Sequence, residues 1–159
     1  MTDYDLLIKQ AESLSENVGW DITALSNIAA LLWDSLPDIN WAGFYLVRGE
    51  RLLLGPFQGK PACTAIEFGK GVCGTAAVQD TVQLVKNVHE FPGHIACDSA
   101  SNSEIVIPIH AKGSLYGVLD IDSPVFGRFS DHDASALEEL VRSLEKKLNA
   151  ILTETFGAC

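Results

Sequence analysis

The stretch SEIVIPIHAKGSLYGVLDIDS, residues 103–123, decides the fold. From Ser103 to Ala111, and again from Leu115 to Ser123, apolar residues recur at the two-residue period of strands in a layered structure. Lys112-Gly113-Ser114 supplies the turn between them, so the stretch predicts a β-hairpin. Successive strand side chains point to opposite faces. Asp120 and Asp122 therefore share one face, about 7 Å apart along the strand, while Leu119 and Ile121 point into the opposite layer. Ile105, Ile107 and Ile109 mark one face of the first strand, which leaves Glu104 on the other. A register that sets Glu104 near Asp122 gathers three carboxylates on one surface. By the same alternation, Tyr116 and Val118 fall on that surface.

Outward from the hairpin, Leu6, Leu7, Ala11 and Leu14 predict a helix from Tyr4 to about Ser15. A second helix starts with Asp21 as its N-cap and runs through Leu25, Ile28, Leu32 and Leu36 to Pro37. Asn40 to Val47 reads as a strand, Gly49-Glu50 as a turn and Arg51 to Phe57 as the partner strand. A short strand near Thr64–Phe68 leads through Gly69-Lys70-Gly71 into a small-residue helix, Val72 to Val78, and Val82–Val85 is another strand. Lys86 to Asn102 has no periodicity, and loops this long inside a compact domain are uncommon and often functional. Ser130-Asp131-His132-Asp133 opens the closing helix with a pattern like a capping box, followed by Leu137, Leu140, Leu144, Leu148 and Ile151. There is no internal repeat, linker or second domain. The expected architecture is one α+β domain over residues 1–159, with a core of about 4–151 and a central antiparallel sheet flanked by N- and C-terminal helices. That order of elements is the order of a GAF or PAS-like domain.

Acidic residues outnumber basic ones 21 to 11, for a formal net charge of −10. Such a charge repels nucleic-acid phosphates and anionic lipid surfaces, so neither is an expected partner. No apolar run approaches the roughly 18 residues of a membrane span. The N-terminus is acidic and amphipathic, unlike a signal peptide, and the expected location is cytoplasmic. A homodimer through the first or last helix is a further expectation.

Four cysteines, Cys63, Cys73, Cys97 and Cys159, would not be kept as static disulfides in a reducing compartment, which brings reactive or metal-binding roles forward. Cys97 lies in Phe91-Pro92-Gly93-His94-Ile95-Ala96-Cys97-Asp98, where a charged His94 would hold a thiolate. Cys63 follows the turn-rich Gln58-Gly59-Lys60-Pro61. Cys73 begins the small helix, whose N-terminus lowers a thiol pKa. Cys159 ends a tail and is expected to have no role. Each cysteine can equally be read as a small buried hydrophobe. Their spacing with His94 fits no standard zinc pattern, and Gly69-Lys70-Gly71-Val72-Cys73-Gly74 lacks the Gly-Lys-Ser/Thr ending of a phosphate loop. Trp41 and Tyr45 share a strand face on either side of Gly43, as core residues or as an aromatic wall for a small ligand. Crowding among Glu104, Asp120 and Asp122 raises at least one pKa, giving a proton donor or a cation site; an exposed face of solvated acids is the plainer alternative.

Five segments together carry a resemblance. Residues 40–45 (NWAGFY), 54–63 (LGPFQGKPAC), 69–74 (GKGVCG), 91–98 (FPGHIACD) and 119–124 (LDIDSP) resemble the free methionine-(R)-sulfoxide reductases, whose fold is a GAF domain. The match runs from about Tyr4 to Ile151 and includes the spacing of the three internal cysteines. It implies reduction of the R epimer of free methionine sulfoxide, with thioredoxin as reductant and no metal or organic cofactor. It also implies Cys97 as the attacking thiol, Cys63 as its resolving partner in a Cys63–Cys97 redox disulfide, and Cys73 as an auxiliary thiol. Glu104, Asp120 and Asp122 would hold the substrate ammonium and assist protonation of the sulfoxide oxygen, and Trp41 would pack against the methyl end. The rival reading is a GAF module that binds a small ligand or senses redox state through its thiols; turnover separates the two.

Overall fold

The computed structural model describes residues 1–94, 97 and 99–157, with only the backbone at 155–157. The expectation for Cys159 lies outside the described residues. Helix α1 (Tyr4–Leu14) is capped by the Asp3 side chain, which accepts from the Leu6 N–H, and buries Tyr4, Leu7 and Ala11. Helix α2 (Asp21–Ser35) buries Ala24, Leu25, Ile28, Ala29 and Leu32. Six strands follow: β1 (Trp41–Arg48), β2 (Arg51–Gly59), β3 (Ala65–Glu67), β4 (Gln83–Val85), β5 (Ser103–Ala111) and β6 (Ser114–Ser123). Helix α3 (Gly71–Gln79) lies between β3 and β4, and α4 (Asp131–Gly157) closes the chain. The strands form one antiparallel sheet in the order β3-β2-β1-β6-β5-β4.

Alternation along the strands divides the apolar residues between two cores. Ala42, Phe44, Leu46, Ile105, Ile107, Ile109, Leu119 and Ile121 face α1, α2 and α4. Trp41, Tyr45, Leu52, Val106 and Val118 face the other way, against Val72, Cys73 and Ala76 of α3. Each large apolar side chain so buried contributes about 1.5–3 kcal/mol. The α4 start is a reciprocal cap: Asp133 accepts from the Ser130 N–H and hydroxyl, and its own N–H donates to Ser130 Oγ.

Two expectations need correcting. The N-cap of α2 is Trp20, and Asp21 is the first helical residue. The Asp21 carboxylate accepts from the Ile22 N–H and, at 2.6 Å, from the Tyr116 hydroxyl. It still stands at the positive end of the helix. Tyr116 is the second correction, since it does not join the acidic face. The pairing steps from Ile109↔Gly117 to His110↔Leu115, leaving Tyr116 as an extra residue in β6. This bulge reverses the alternation. Tyr116 consequently packs on the α2 side and Leu115 on the α3 side.

Candidate active site

The β5–β6 register places Glu104 opposite Asp122, and Asp120 sits one strand alternation away on the same face. On its other side β6 pairs with β1, bringing Trp41 beside Asp122 and Gly43 beside Asp120. A pocket opens over this surface, walled by Trp41 and Tyr45, with Cys73 of α3 beside the acids and His94 and Cys97 from the 86–102 loop at its rim. Glu104 and Asp120 are buried, 7% and 5% exposed, which rules out the solvated-acid reading for both.

Burial dominates the electrostatics. It pushes the Glu104 carboxyl well above the usual range, and the neighbouring charges of Asp120 and Asp122 push it further. Asp120 is raised by burial to about 6, held down by a hydrogen bond from Glu104. Of the two, Glu104 is the acid on which the shared proton is favoured, donated toward Asp120. Burial also raises the Cys73 thiol, and the acids add to the effect. The helix N-terminus that was expected to lower this thiol is outweighed, because desolvation and the three neighbouring acids act on the same sulfur. The condition that His94 be charged is disfavoured as well. Burial, with a smaller contribution from His89, lowers its pKa and favours the neutral ring.

Cys63 and Cys97 are joined in a disulfide, with Cα atoms 5.6 Å apart across a separation of 34 residues. The segment carrying Cys63 hangs from β1. The Tyr45 hydroxyl donates to the Cys63 carbonyl oxygen at 2.9 Å, and the Trp41 indole N–H donates to the Lys60 carbonyl oxygen at 3.1 Å. Trp41 is itself stacked on Phe57 at 5.2 Å between ring centroids. That approach needs Gly43, because a Cβ there would stand 2.3 Å from Phe57 Cβ. The structure therefore brings all the expected site residues, Trp41, Tyr45, Cys63, Cys73, Cys97, Glu104, Asp120 and Asp122, around one cavity or its rim.

Sequence reasoning missed two features. The tethering role of Tyr45 has no motif, because the hydroxyl's partner is a main-chain oxygen. The second is Lys70 with Gly71 and Val72, which line the pocket at the start of α3, where no side chain caps the helix. Their signal was the Gly69-Lys70-Gly71 turn, set aside once it failed as a phosphate loop. A lysine beside uncapped first-turn N–H groups is a fitting partner for a carboxylate.

The GAF domain family profile matches residues 5–148. The chain is 58% identical over 127 residues to the free methionine-R-sulfoxide reductase of Escherichia coli K12, covering 80% of this chain and 77% of that one. It superposes on the reduced form of fRMsr from Staphylococcus aureus with a TM-score of 0.91 and 54% identity, over 93% of this chain and 96% of the other. The free methionine-R-sulfoxide reductase of Neisseria meningitidis, solved in complex with its substrate, gives 0.91 and 41% identity over 95% and 91%. With that likeness running through the strands that hold the acids and the segments that hold the cysteines, the chain belongs to the free methionine-R-sulfoxide reductase family, enzymes built on a GAF domain.

Proposed function

We propose that the protein reduces free L-methionine (R)-S-oxide to methionine, through a sulfenic acid at Cys97 and the Cys63–Cys97 disulfide. The observation that carries this reading is the gathering around one pocket of a buried acid, Glu104, and the Cys63–Cys97 disulfide. Asp120 and Asp122 take the substrate ammonium, Lys70 and the start of α3 take its carboxylate, and Trp41 packs against the methyl end. The Cys97 thiolate attacks the sulfoxide sulfur while Glu104 gives its proton to the oxygen. Methionine leaves with its sulfur reduced, and the oxygen stays on Cys97 as a sulfenic acid. The Cys63 thiol then displaces that oxygen as water, forming the disulfide. Two electrons from a dithiol protein, thioredoxin, return both thiols. Cys73, buried with a raised pKa, is the poorer resolving thiol.

Among the described residues no helix is long and apolar enough to cross a membrane, and we place the enzyme in the cytoplasm, where thioredoxin is at hand. Exposed Leu6 and Leu14 on α1 give a homodimer an apolar face. The decisive experiment is thioredoxin-coupled NADPH oxidation with the separated R and S epimers of free methionine sulfoxide. The R epimer should turn over and the S epimer should not. Cys97→Ser should be inactive, and Cys63→Ser should stall after about one turnover per chain. Multiple turnover by the Cys97 variant overturns the mechanism, and the absence of turnover with either epimer leaves a sensor.

A further inference from the structure

Cys73 is a buried thiol outside the disulfide, and an ammonium held by Asp120 and Asp122 makes no use of it. One ligand atom each from Cys73, Glu104 and Asp120 lie within 4.8 Å of one another, with Cys73 Sγ 3.9 Å from Glu104 Oε1. All three side chains are more than nine-tenths buried. Asp120, on the pocket wall, keeps Oδ1 buried with no hydrogen-bond partner among the described residues. A polar atom so placed is costly unless a ligand meets it.

One thiol and two carboxylates form a donor set for a borderline-soft divalent cation. Zinc bonds thiolate sulfur at about 2.3 Å and carboxylate oxygen at about 2.0–2.2 Å, and with three protein ligands it keeps a fourth position open. Tetrahedral bonds of that length set donors about 3.5 Å apart, so closing the present spacing asks for movements on the order of 1 Å. These donors also differ from the cysteines and His94 weighed from the sequence, because Cys63 and Cys97 are occupied with each other.

We infer that Cys73, Glu104 and Asp120 form an inhibitory binding site for Zn²⁺ at the floor of the pocket. No redox change is involved. The ion displaces the thiol proton and the Glu104 proton, and three anionic donors surround two positive charges. Where the ion sits, the substrate ammonium cannot. That blockade, unlike the binding, rests on reading the acids as the ammonium subsite.

The test uses the full chain with Cys159→Ser, oxidised so that Cys63 and Cys97 are tied and Cys73 is the remaining thiol. Cd²⁺ titration, followed by the ultraviolet thiolate-to-metal band, should show one ion per chain and one thiolate. Zinc-edge X-ray absorption of the same protein should show one sulfur neighbour among oxygens. Cys73→Ala should abolish the band, and Asp120→Asn should weaken binding at least about tenfold. No saturable binding, a band that survives Cys73→Ala, or a zinc shell without sulfur overturns the site. The absorption measurement needs no substitution at Cys73, so a Cys73 variant that fails to fold does not spoil the result. Free methionine, which carries the same ammonium, should compete with Cd²⁺. Methionine bound alongside Cd²⁺ refutes the blockade alone. Methionine that fails to bind the metal-free protein counts against the proposed function while leaving the metal site standing.

Discussion

Tyr45→Phe isolates one step of the proposed cycle. The substitution removes a single oxygen and keeps the ring, with its contacts to Trp41 at 5.8 Å, in a fully buried position. What disappears is the hydrogen bond to the Cys63 carbonyl, which with the Trp41–Lys60 bond holds the Cys63 segment against β1. A hydrogen bond of this kind is worth about 0.5–1.5 kcal/mol net. If it serves to present Cys63 to Cys97, its loss slows closure of the disulfide by about 2- to 13-fold. Attack on the sulfoxide precedes that step and should change far less. Rapid mixing of reduced enzyme with one equivalent of substrate, quenched by an alkylating agent and read by intact mass, counts sulfenic acid and disulfide separately. The variant should accumulate sulfenic acid that the wild type passes through quickly. A normal rate of disulfide closure would refute the tether. An equal slowing of methionine release and closure would assign Tyr45 to the pocket wall alone.

Asp120→Asn should trade function for stability. Asp120 has its carboxyl raised from 3.8 to about 6 by burial, so the folded state binds more protons than the unfolded state across that interval. The contribution is favourable at low pH and is lost as pH rises from about 4 through 6, a cost of about 3 kcal/mol by pH 7. Thermal denaturation of the oxidised, ligand-free variant should show a flattened pH dependence and a higher midpoint at pH 7; an unchanged slope would remove Asp120 as its source. Gly43→Ala should destabilise by about 1–3 kcal/mol, because the new Cβ would meet the Phe57 Cβ, its Cα and the Pro56 oxygen below 3 Å. A melting point equal to that of the wild type would show that β2 yields freely. Acylation of the substrate nitrogen should lower kcat/KM by more than about a hundredfold, since charge-assisted hydrogen bonds to Asp120 and Asp122 are worth about 1.5–3 kcal/mol each. Comparable turnover of the N-acetyl compound would contradict the ammonium subsite.

Features written as local periodicity were readable in the chain. The alternation of Ile105, Ile107 and Ile109 against Glu104 needs only strand geometry, and so does the shared face of Asp120 and Asp122. The Ser130–Asp133 cap is likewise a four-residue pattern. Tyr116 was misplaced because a bulge is a property of two strands, and one strand's alternation cannot reveal where its partner skips a residue. Cys73 and His94 were misjudged for a different reason. Helix position suggested a lowered pKa for the Cys73 thiol, and His94 could support a thiolate only if charged, whereas the controlling quantity for both is burial, which only the packed structure fixes. Lys70 was visible as a residue, but its place on the wall of the pocket was not.

The two halves of the pocket keep different time. Glu104, Asp120 and Asp122 stand on β5 and β6, which lie inside the sheet with β1 and β4 on their flanks, so their amide protons should exchange with deuterium only through large openings of the domain. Cys63 and Cys97 lie on connecting segments, and in the proposed cycle the covalent bond spanning 34 residues between them forms and breaks at each turnover. Deuterium uptake around residues 60–63 should therefore rise and fall with redox state while β5 and β6 stay protected. On the proposed reading, the strands that bind the amino acid are thereby insulated from the segments that handle electrons.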